Sequence, residues 1–387
     1  MHNVGAVVVG GGFQGVMMAL TLAERGQRPL LVERAQLGAG ASAASLGIIH
    51  GGLRYLQSLD LLRWRRSRCE QAWFGHTFAQ HVTPIECVMP IYQGRVRSRV
   101  MFRTAFALEG AAAVIAGVSN GGIGGRIVSA EAAASLYPVQ REGLIGGAVW
   151  QELALTNSST ILEDAAQRIK QAGGQVLERA QFTNLGVVDG RVVSASFIAD
   201  GTRETVATNA VVLCVGAGSR ALAGWLDRDI PALSAQTLAF NLLFDHPAVG
   251  GRMLAVSSVA GKGRSYFLRE VGGQLLAGTW YAPVNVKNVG AKRLTVSPDL
   301  IAAFRRELEA ALPWLIGVPI IDIWAGLLPD CNGDGHTLRA HDLSWDHGRH
   351  GGPKGLYTLL NTKLTTTHAL AEQVANLLQP PSDRGAQ

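Results

Sequence analysis

An α/β fold is predicted, with a parallel-stranded domain assembled from separated stretches of chain. A second, α+β domain is built on a mostly antiparallel sheet. Three observations predict this. A strand, glycine loop, helix and second strand open the chain; apolar β-branched runs of the same kind recur far downstream; strand-like runs of a different domain lie between them. Ala6-Val7-Val8-Val9 is short, apolar and β-branched, as strands buried on both faces are. It feeds Gly10-Gly11-Gly12-Phe13-Gln14-Gly15, and helix formers follow from Val16 through Met17, Met18, Ala19, Leu20 and Leu22 to Glu24. Gly26 ends that helix, Pro29-Leu30-Leu31-Val32 gives the second strand, and Glu33 closes it.

This layout is that of a Rossmann-like dinucleotide site, with G-x-G-x-x-G on Gly10, Gly12 and Gly15. Gly10 permits the tight turn, Gly12 lets the backbone approach a pyrophosphate, and Gly15 lets helix pack on strand. The helix N-terminus offers free N–H groups and partial positive charge to the phosphates. Glu33 stands where a carboxylate accepts hydrogen bonds from the adenosine ribose, which disfavours a 2′-phosphate. NAD or FAD is therefore expected rather than NADP.

A small, hydroxyl-rich loop follows: Gly38-Ala39-Gly40-Ala41-Ser42-Ala43-Ala44-Ser45-Leu46-Gly47-Ile48-Ile49-His50-Gly51-Gly52-Leu53-Arg54-Tyr55-Leu56. A flavin needs such a loop along its pyrophosphate and ribityl chain, and a nicotinamide does not. The stretch resembles the FAD-dependent glycerol-3-phosphate dehydrogenases, within the D-amino-acid oxidase-like flavoproteins, at Ser42, Ser45 and Ile49 to Leu56. It departs from their pattern at Ala44 and Gly47, where the family carries Arg and Lys. Further blocks resemble the family at 210–219, at 274–279 (with Trp280-Tyr281 replacing its last two residues) and at 360–368. The resemblance implies FAD held by Gly10, Gly12, Phe13, Gln14, Gly15, Glu33, Arg34, Ser42, Ser45, Leu46 and Gly47. It extends that set to Val176, Gly216, Ala217, Lys363, Leu364, Thr365 and Thr366.

Composition agrees with a folded enzyme of about two domains: 387 residues, 48% hydrophobic and 17% charged. The cofactor segments are scattered, so the FAD domain is expected over 1–75, 149–225 and 325–380, the substrate domain over 76–148 and 226–324, and a flexible tail over 381–387. Leu162–Ala172, after Asn157-Ser158-Ser159-Thr160, is an expected helix, and Gln175-Val176-Leu177 an expected strand beside the adenine. Thr237–Leu243, Ser265–Leu268 and Gln274–Ala277 are expected strands of the substrate sheet. Gly117 to Gly125 lacks a strand-end acid, so it is expected as a loop and not as a second nucleotide site.

Four scattered cysteines, Cys69, Cys87, Cys214 and Cys331, form no C-x-x-C pair and fit a reducing compartment. No metal is expected, because Asp330-x-Asn332-x-Asp334-Gly335 mimics a calcium loop without the closing Glu. No stretch reaches the ~18 apolar residues that span a bilayer. The N-terminus lacks the basic start of a signal peptide, so a cytoplasmic protein is expected. The net charge of +6 is concentrated in Leu62-Arg63-Trp64-Arg65-Arg66-Ser67-Arg68 and Arg95-Val96-Arg97-Ser98-Arg99. These runs suit solvated faces, or contact with an anionic substrate or with anionic lipid at the inner face of a membrane. They lack the interleaved aromatics and module of a nucleic-acid binder.

With a single fingerprint, the chain is expected to take a hydride from a small-molecule substrate and pass electrons to oxygen, a quinone or a redox protein. Three residues are candidate catalytic groups. His50 is a general base, since imidazole titrates near neutrality, or else orders its loop through a backbone hydrogen bond. Arg54 is a fork for a phosphate or carboxylate, or an interdomain ion pair. Lys363 precedes Thr365-Thr366-Thr367, an N-cap cluster for a helix whose N-terminus, in the family, points at the flavin. Ala325-Gly326-Leu327-Leu328-Pro329 departs from the family's A-G-x-R-P-L, so Leu328 removes a second phosphate-binding Arg. The expected activity is oxidation of an alcohol bearing an anionic group. The alternatives are oxidation of an amine or amino acid, and a catalytically weak flavin-binding assembly subunit.

Overall fold

The computed structural model of the protein describes residues 4–56, 58–94, 97–116, 124–219, 222, 235–247, 250–258, 265–284, 294–330, 338 and 341–378. Cys331, the Asn332–Gly335 loop, Arg95 and Val96, residues 117–123 of the glycine-dense run and the tail lie outside them.

The chain begins β1 (Ala6–Val9), α1 (Phe13–Glu24), β2 (Pro29–Val32), β3 (Ile48–Ile49), α2 (Leu53–Leu56) and α3 (Leu61–Thr77). It continues through β4 (Val82–Tyr92), α4 (Arg99–Ala116), β5 (Gly125–Val128), α5 (Ala130–Leu136), β6 (Leu144–Leu155) and α6 (Ser158–Gln171). Then come β7 (Gln175–Leu177), β8 (Ala180–Val188), β9 (Arg191–Ala199), β10 (Thr202–Ala207) and β11 (Val211–Leu213). The last part holds β12 (Ala235–Phe244), β13 (Met253–Ser257), β14 (Ser265–Val271), β15 (Gln274–Pro283), α7 (Pro298–Ala311), β16 (Ile320–Asp330), β17 (Leu343–Asp346), β18 (Leu356–Leu360) and α8 (Thr367–Leu378).

The first sheet has the order β17-β18-β11-β1-β2-β7, parallel except for β17. Val8 of the central strand pairs with Leu31 on one side and Val212 on the other. One face is covered by α1, α6 and α8, which contribute Val16, Leu20, Leu162, Ile169, Leu370 and Val374 to one core. The other face rests on a three-stranded antiparallel sheet, β8 to β10, through Val192, Ala195 and Phe197. Both faces are therefore dry, which is why β1 carries no polar residue. The expected helix is present as α6 and begins earlier, with Asn157 Oδ1 accepting from Ser159 N–H at 2.7 Å.

The second sheet has nine strands, ordered β16-β12-β15-β14-β13-β4-β6-β3 with β5 on β6. Its pairs are antiparallel except β13 with β4. The strands expected from the sequence are longer here, and β6 and β16 run across residues 149 and 325. Alternate residues of β12, β14 and β15 (Phe240, Leu242, Leu268, Leu275) pack with Phe304 and Leu308 of α7. The opposite face sends four side chains, Asn241, Phe267, Arg269 and Glu152, onto the segment 44–51. That segment is where the two sheets meet.

The first basic run is only partly a solvated face. Trp64, Ser67, Arg68 and Gln71 form the inward side of α3 and are buried. Arg68 Nε donates to Glu109 of α4 at 2.8 Å, and Trp64 Nε1 donates to the same oxygen at 3.2 Å. Helical spacing placed these residues inside, and a buried carboxylate with several donors made the burial of Arg68 tolerable.

Candidate active site and cofactor cradle

The glycine loop is shaped by contacts that exclude side chains. Gly10 has φ +104°, and a Cβ there would lie 2.6 Å from Cys214 O of the strand segment beside it. A Cβ on Gly15 would lie 1.8 Å from Gly10 O, so α1 seats on the loop only with glycine at that point. Gly12 differs, because its Cβ would meet only Ser42 Oγ, at 3.1 Å. Gly12 is the N-cap of α1, with no side-chain cap. Phe13 N–H donates to Ser42 Oγ at 3.0 Å, which brings the small-residue loop over the helix end.

Glu33 ties the parts together. Its carboxylate accepts from Gly11 N–H at 2.5 Å and from Ala35 N–H at 2.8 Å, one bond on each oxygen. Each oxygen keeps a further lone pair for a ligand hydroxyl. Val176 pairs with Leu31 beside this corner, and Arg34 is exposed at its rim. The loop is fastened at Ser45, whose Oγ accepts from Gly47 N–H at 3.0 Å, and at Ala44 O, which accepts from Asn241 Nδ2 at 2.6 Å. Gly47 (φ +64°) leaves room for Arg269, whose nearest guanidinium nitrogen would stand 2.8 Å from a Cβ there. Arg269 Nε donates to Leu46 O at 2.5 Å, and burial lowers its pKa to about 10, so it stays cationic at neutral pH. Thus a cation from β14 stands where the family pattern places one on the loop.

The residues present fit FAD. The cradle has a helix N-terminus whose N-cap, Gly12, carries no side chain, and open space at Gly40 and Gly216, where an added Cβ would meet nothing within 4 Å. Gln14 is buried in α1; its Nε2 donates to Thr367 O at 3.1 Å, and among the described residues its Oε1 has no hydrogen-bond partner. Ala217 O accepts from Gln236 Nε2, so the 3₁₀ turn Gly216–Gly218 is braced by β12.

His50 lies at the end of this loop, with its side chain 43% exposed. Its backbone N–H donates to Thr365 Oγ1 at 3.0 Å, and its ring centroid is 5.1 Å from that of Phe267. Its Nδ1 is 3.5 Å from Glu152 Oε1. Glu152 is buried and also accepts from Gly51 N–H (2.7 Å), Trp150 Nε1 (2.9 Å) and Gln71 Nε2 (3.0 Å). Burial alone would raise its pKa, but the bonds and charge from His50, with those from Gly51 and Trp150, hold the carboxyl below its ordinary value. A carboxylate on Nδ1 favours the tautomer whose Nε2 is the free base, as oriented imidazole bases require.

Tyr55 gathers the cations. Its hydroxyl accepts from Lys363 Nζ at 2.6 Å and from Arg54 Nη2 at 3.2 Å, and the Arg63 guanidinium stands 4.3 Å from its ring centroid. Burial would raise the phenol pKa, but the charges of Arg54 and Lys363 outweigh it and lower it. Burial lowers that of Lys363, and Tyr55 partly offsets the effect. Among the described residues neither Arg54 nor Lys363 has a carboxylate partner.

The expected N-cap cluster before α8 behaves differently. Thr365 bonds His50, Thr366 Oγ1 donates to Asp342 Oδ1 at 3.1 Å, and Thr367 Oγ1 donates to Leu364 O at 2.9 Å. The helix N–H of Ala369 goes instead to Glu70 Oε2 of α3, at 2.8 Å. A distant acid outbids local hydroxyls because it brings a full charge to the helix end. Leu328 shares a β16 face with Gly326, whose position abuts Ala41 of the loop, so it looks towards the cradle.

The structure thus brings Arg54 and Lys363 together on Tyr55 and ties His50 to Thr365, two residues beyond Lys363, while the glycine loop, Glu33 and Ser42 form the other end of the cradle. Glu152, Gln71 and Phe267 were not singled out from the sequence. Glu152 reaches Gly51 because β6 pairs with β3, Leu153 opposite Ile49, a long-range register that no local pattern marks. Within the described residues no helix is long and apolar enough to cross a membrane.

The family described as FAD dependent oxidoreductase matches residues 6–377 of this chain. Glycerol-3-phosphate dehydrogenase 1 of Mycobacterium tuberculosis is 28% identical over 381 residues, covering 96% of this chain and 72% of its own. The glycerol-3-phosphate dehydrogenase of Bacillus halodurans, solved in complex with FAD, superposes with a TM-score of 0.71 at 16% identity. That match covers 97% of this chain and 64% of the other. L-proline dehydrogenase of P. horikoshii gives 0.73 at 14% identity, over 97% and 93%. At these identities the two structures speak for the fold alone.

Proposed function

This chain belongs to the FAD dependent oxidoreductase family, and from that premise we propose that it oxidises a small alcohol bearing an anionic group. The observation that carries this is the Tyr55 cluster: Lys363 and Arg54 meet on one hydroxyl with no carboxylate among the described residues to balance them. Assembling like charges costs free energy, and an anionic substrate returns it. Likeness to the glycerol-3-phosphate dehydrogenase of Mycobacterium tuberculosis supports the same class.

Bound FAD supplies the acceptor for a hydride from the substrate carbon. Gly10, Gly12, Phe13, Gln14, Gly15, Glu33, Arg34, Ser42, Ser45, Leu46, Gly47, Val176, Gly216, Ala217, Leu364, Thr365 and Thr366 would hold it. His50 Nε2 takes the hydroxyl proton while Glu152 holds Nδ1. Arg54 would fork onto the anion, and Lys363, on the same Tyr55 hydroxyl, would add its charge beside it. Electrons leave to oxygen, a quinone or a redox protein. Peripheral contact with anionic lipid is supported by Leu59, Leu61 and Leu62, exposed beside Arg65 on the turn into α3. Oxidation of a C–N bond has fold likeness in its favour, and no observed group here selects an amine.

Anaerobic titration tests the reading. Polyol phosphates or hydroxy acids should bleach the flavin and amino acids should not; bleaching by amines alone, or by nothing, rejects it. Arg54→Ala should raise KM by about one to two decades, the cost of one charge-assisted contact, with FAD content unchanged. Loss of FAD with KM unaltered would make Arg54 a cofactor or structural residue.

A further inference from the structure

We propose that Gln71 is a positioning residue for the His50 base, and that the buried Arg68–Glu109 pair holds its amide in the one orientation that serves this role; the inference rests on the proton transfer to His50 read above. Gln71 spans the two parts whose separation must be set, the base and its acid. Its Nε2 donates to Ile49 O, immediately before His50, at 2.8 Å and to Glu152 Oε2 at 3.0 Å. A primary amide carries two N–H groups, and these bonds use both. The same Glu152 oxygen accepts from Gly51 N–H, just after His50, at 2.7 Å. With Oε2 fastened to the chain on both sides of His50, Oε1 is turned to Trp150 Nε1 at 2.9 Å and to His50 Nδ1 at 3.5 Å.

The orientation of that amide is enforced from behind. Arg68, three residues earlier on α3, donates from Nη1 to Gln71 Oε1 at 2.7 Å. A flipped amide would set its NH₂ group against the guanidinium and its oxygen against both Glu152 and Ile49 O, three repulsions in a dry site. Arg68 is itself fixed, because its Nε donates to Glu109 Oε1 at 2.8 Å and its Nη2 bonds the same oxygen. Trp64 Nε1 at 3.2 Å and Gly124 N–H at 3.1 Å hold the Glu109 carboxylate in turn. Glu109, Arg68, Gln71 and Glu152 are all buried, so the line from α4 to His50 is shielded from water.

The charges along this line are matched. Arg68 balances Glu109, and the amide that follows carries no net charge, so the charge of Glu152 is left for the imidazolium that forms when His50 takes the substrate proton. Hydrogen bonds in series also polarise one another: the guanidinium draws on the Gln71 oxygen and makes its N–H groups better donors to Glu152. Apolar packing of α3 on α4 would avoid the desolvation cost of a buried ion pair. Here the polar groups instead form a line that ends at His50 Nδ1.

The test uses the FAD-loaded protein and two variants. Gln71→Met keeps the volume and removes the amide; Arg68→Met combined with Glu109→Gln removes both charges together and keeps an acceptor for Trp64 Nε1. Nitrogen NMR of His50 reads the tautomer without turnover, and kcat and KM are taken with whichever of glycerol 3-phosphate and glycerate reduces the wild type. Gln71→Met should turn a neutral ring protonated at Nδ1 into a mixture of tautomers. It should lower kcat about ten- to a hundredfold, a part of what a positioned base contributes, with KM within about threefold. FAD content should not change, since the bonds of Gln71 reach neither the Tyr55 cations nor the glycine loop. The double variant frees the amide to turn and should lower kcat about three- to tenfold with the same signature; it serves if Gln71→Met does not fold. A wild-type tautomer and kcat in folded Gln71→Met overturns the role of Gln71. Loss of FAD, or a KM that moves as far as kcat, makes the network a brace for the loop and overturns it too. If no alcohol reduces the wild type, the functional reading fails, and the NMR comparison still decides whether Gln71 sets the ring.

Discussion

Gly12→Asp should give a folded protein without FAD, and Gly15→Asp should not fold at all. At Gly12 the added Cβ meets only Ser42 Oγ at 3.1 Å, and the residue is already an N-cap with extended backbone. Aspartate suits such a cap, so α1 is kept or even strengthened. Its carboxylate, however, stands where the cofactor phosphate must come. Two like charges about 4 Å apart at an effective dielectric of about 20 repel by about 4 kcal/mol, roughly three decades in affinity. At Gly15 the Cβ would be 1.8 Å from Gly10 O, and no rotamer relieves a clash with backbone. The helix must leave the sheet, opening the core that Val16 and Leu20 share with α6 and α8. The ratio of flavin to protein absorbance, read beside a thermal melt, separates the two effects. A yellow Gly12→Asp protein would rule out a pyrophosphate at this helix end.

What was legible beforehand divides along the range of the interactions. The βαβ unit is local: its glycines, apolar runs and strand-end acid lie within one stretch, and the structure puts Gly10, Gly12 and Gly15 in three different environments. The substrate strands were legible as cores, though not their full length, since β15 runs on through Trp280 and Tyr281 to Pro283. The sheet β8 to β10 was missed because its alternation is weak and its role is to cover β1 and β2 from behind. His50, Arg54 and Lys363 were legible through family resemblance. Their partners were not, since Glu152 and Glu70 act on residues 102 and 299 positions away. A lone acid in a strand carries no local sign of the donors that will surround it. The same holds for Arg97, which read as part of a charged surface run and lies half-buried against β14.

Removing the imidazole of His50 should lower kcat by about 10²- to 10⁴-fold, the usual contribution of a positioned base. If Glu152 sets its tautomer, Glu152→Gln should lower kcat in the same direction while FAD content stays at the wild-type level. Glutamine keeps the shape and an acceptor oxygen, but its NH₂ group must face one of the donors Gly51 N–H, Trp150 Nε1, Gln71 Nε2 or His50 Nδ1. Glu152→Ala is a poorer choice, because three buried donors would lose their acceptor at about 1–3 kcal/mol each. Acid melts add a check that does not depend on turnover. The folded carboxyl is held below its ordinary value of 4.5, so its stabilising contribution is complete above that pH and fades as the pH falls towards the folded value. The difference in Tm between wild type and Glu152→Gln should therefore be largest near neutrality and shrink below pH 4.5. Nitrogen NMR of the imidazole should report Nδ1 protonated in the neutral wild-type ring and a mixture in the variant. Wild-type kcat in Glu152→Gln, with an unchanged tautomer, would leave His50 as a histidine that merely orders its loop through Thr365, with the substrate proton going elsewhere.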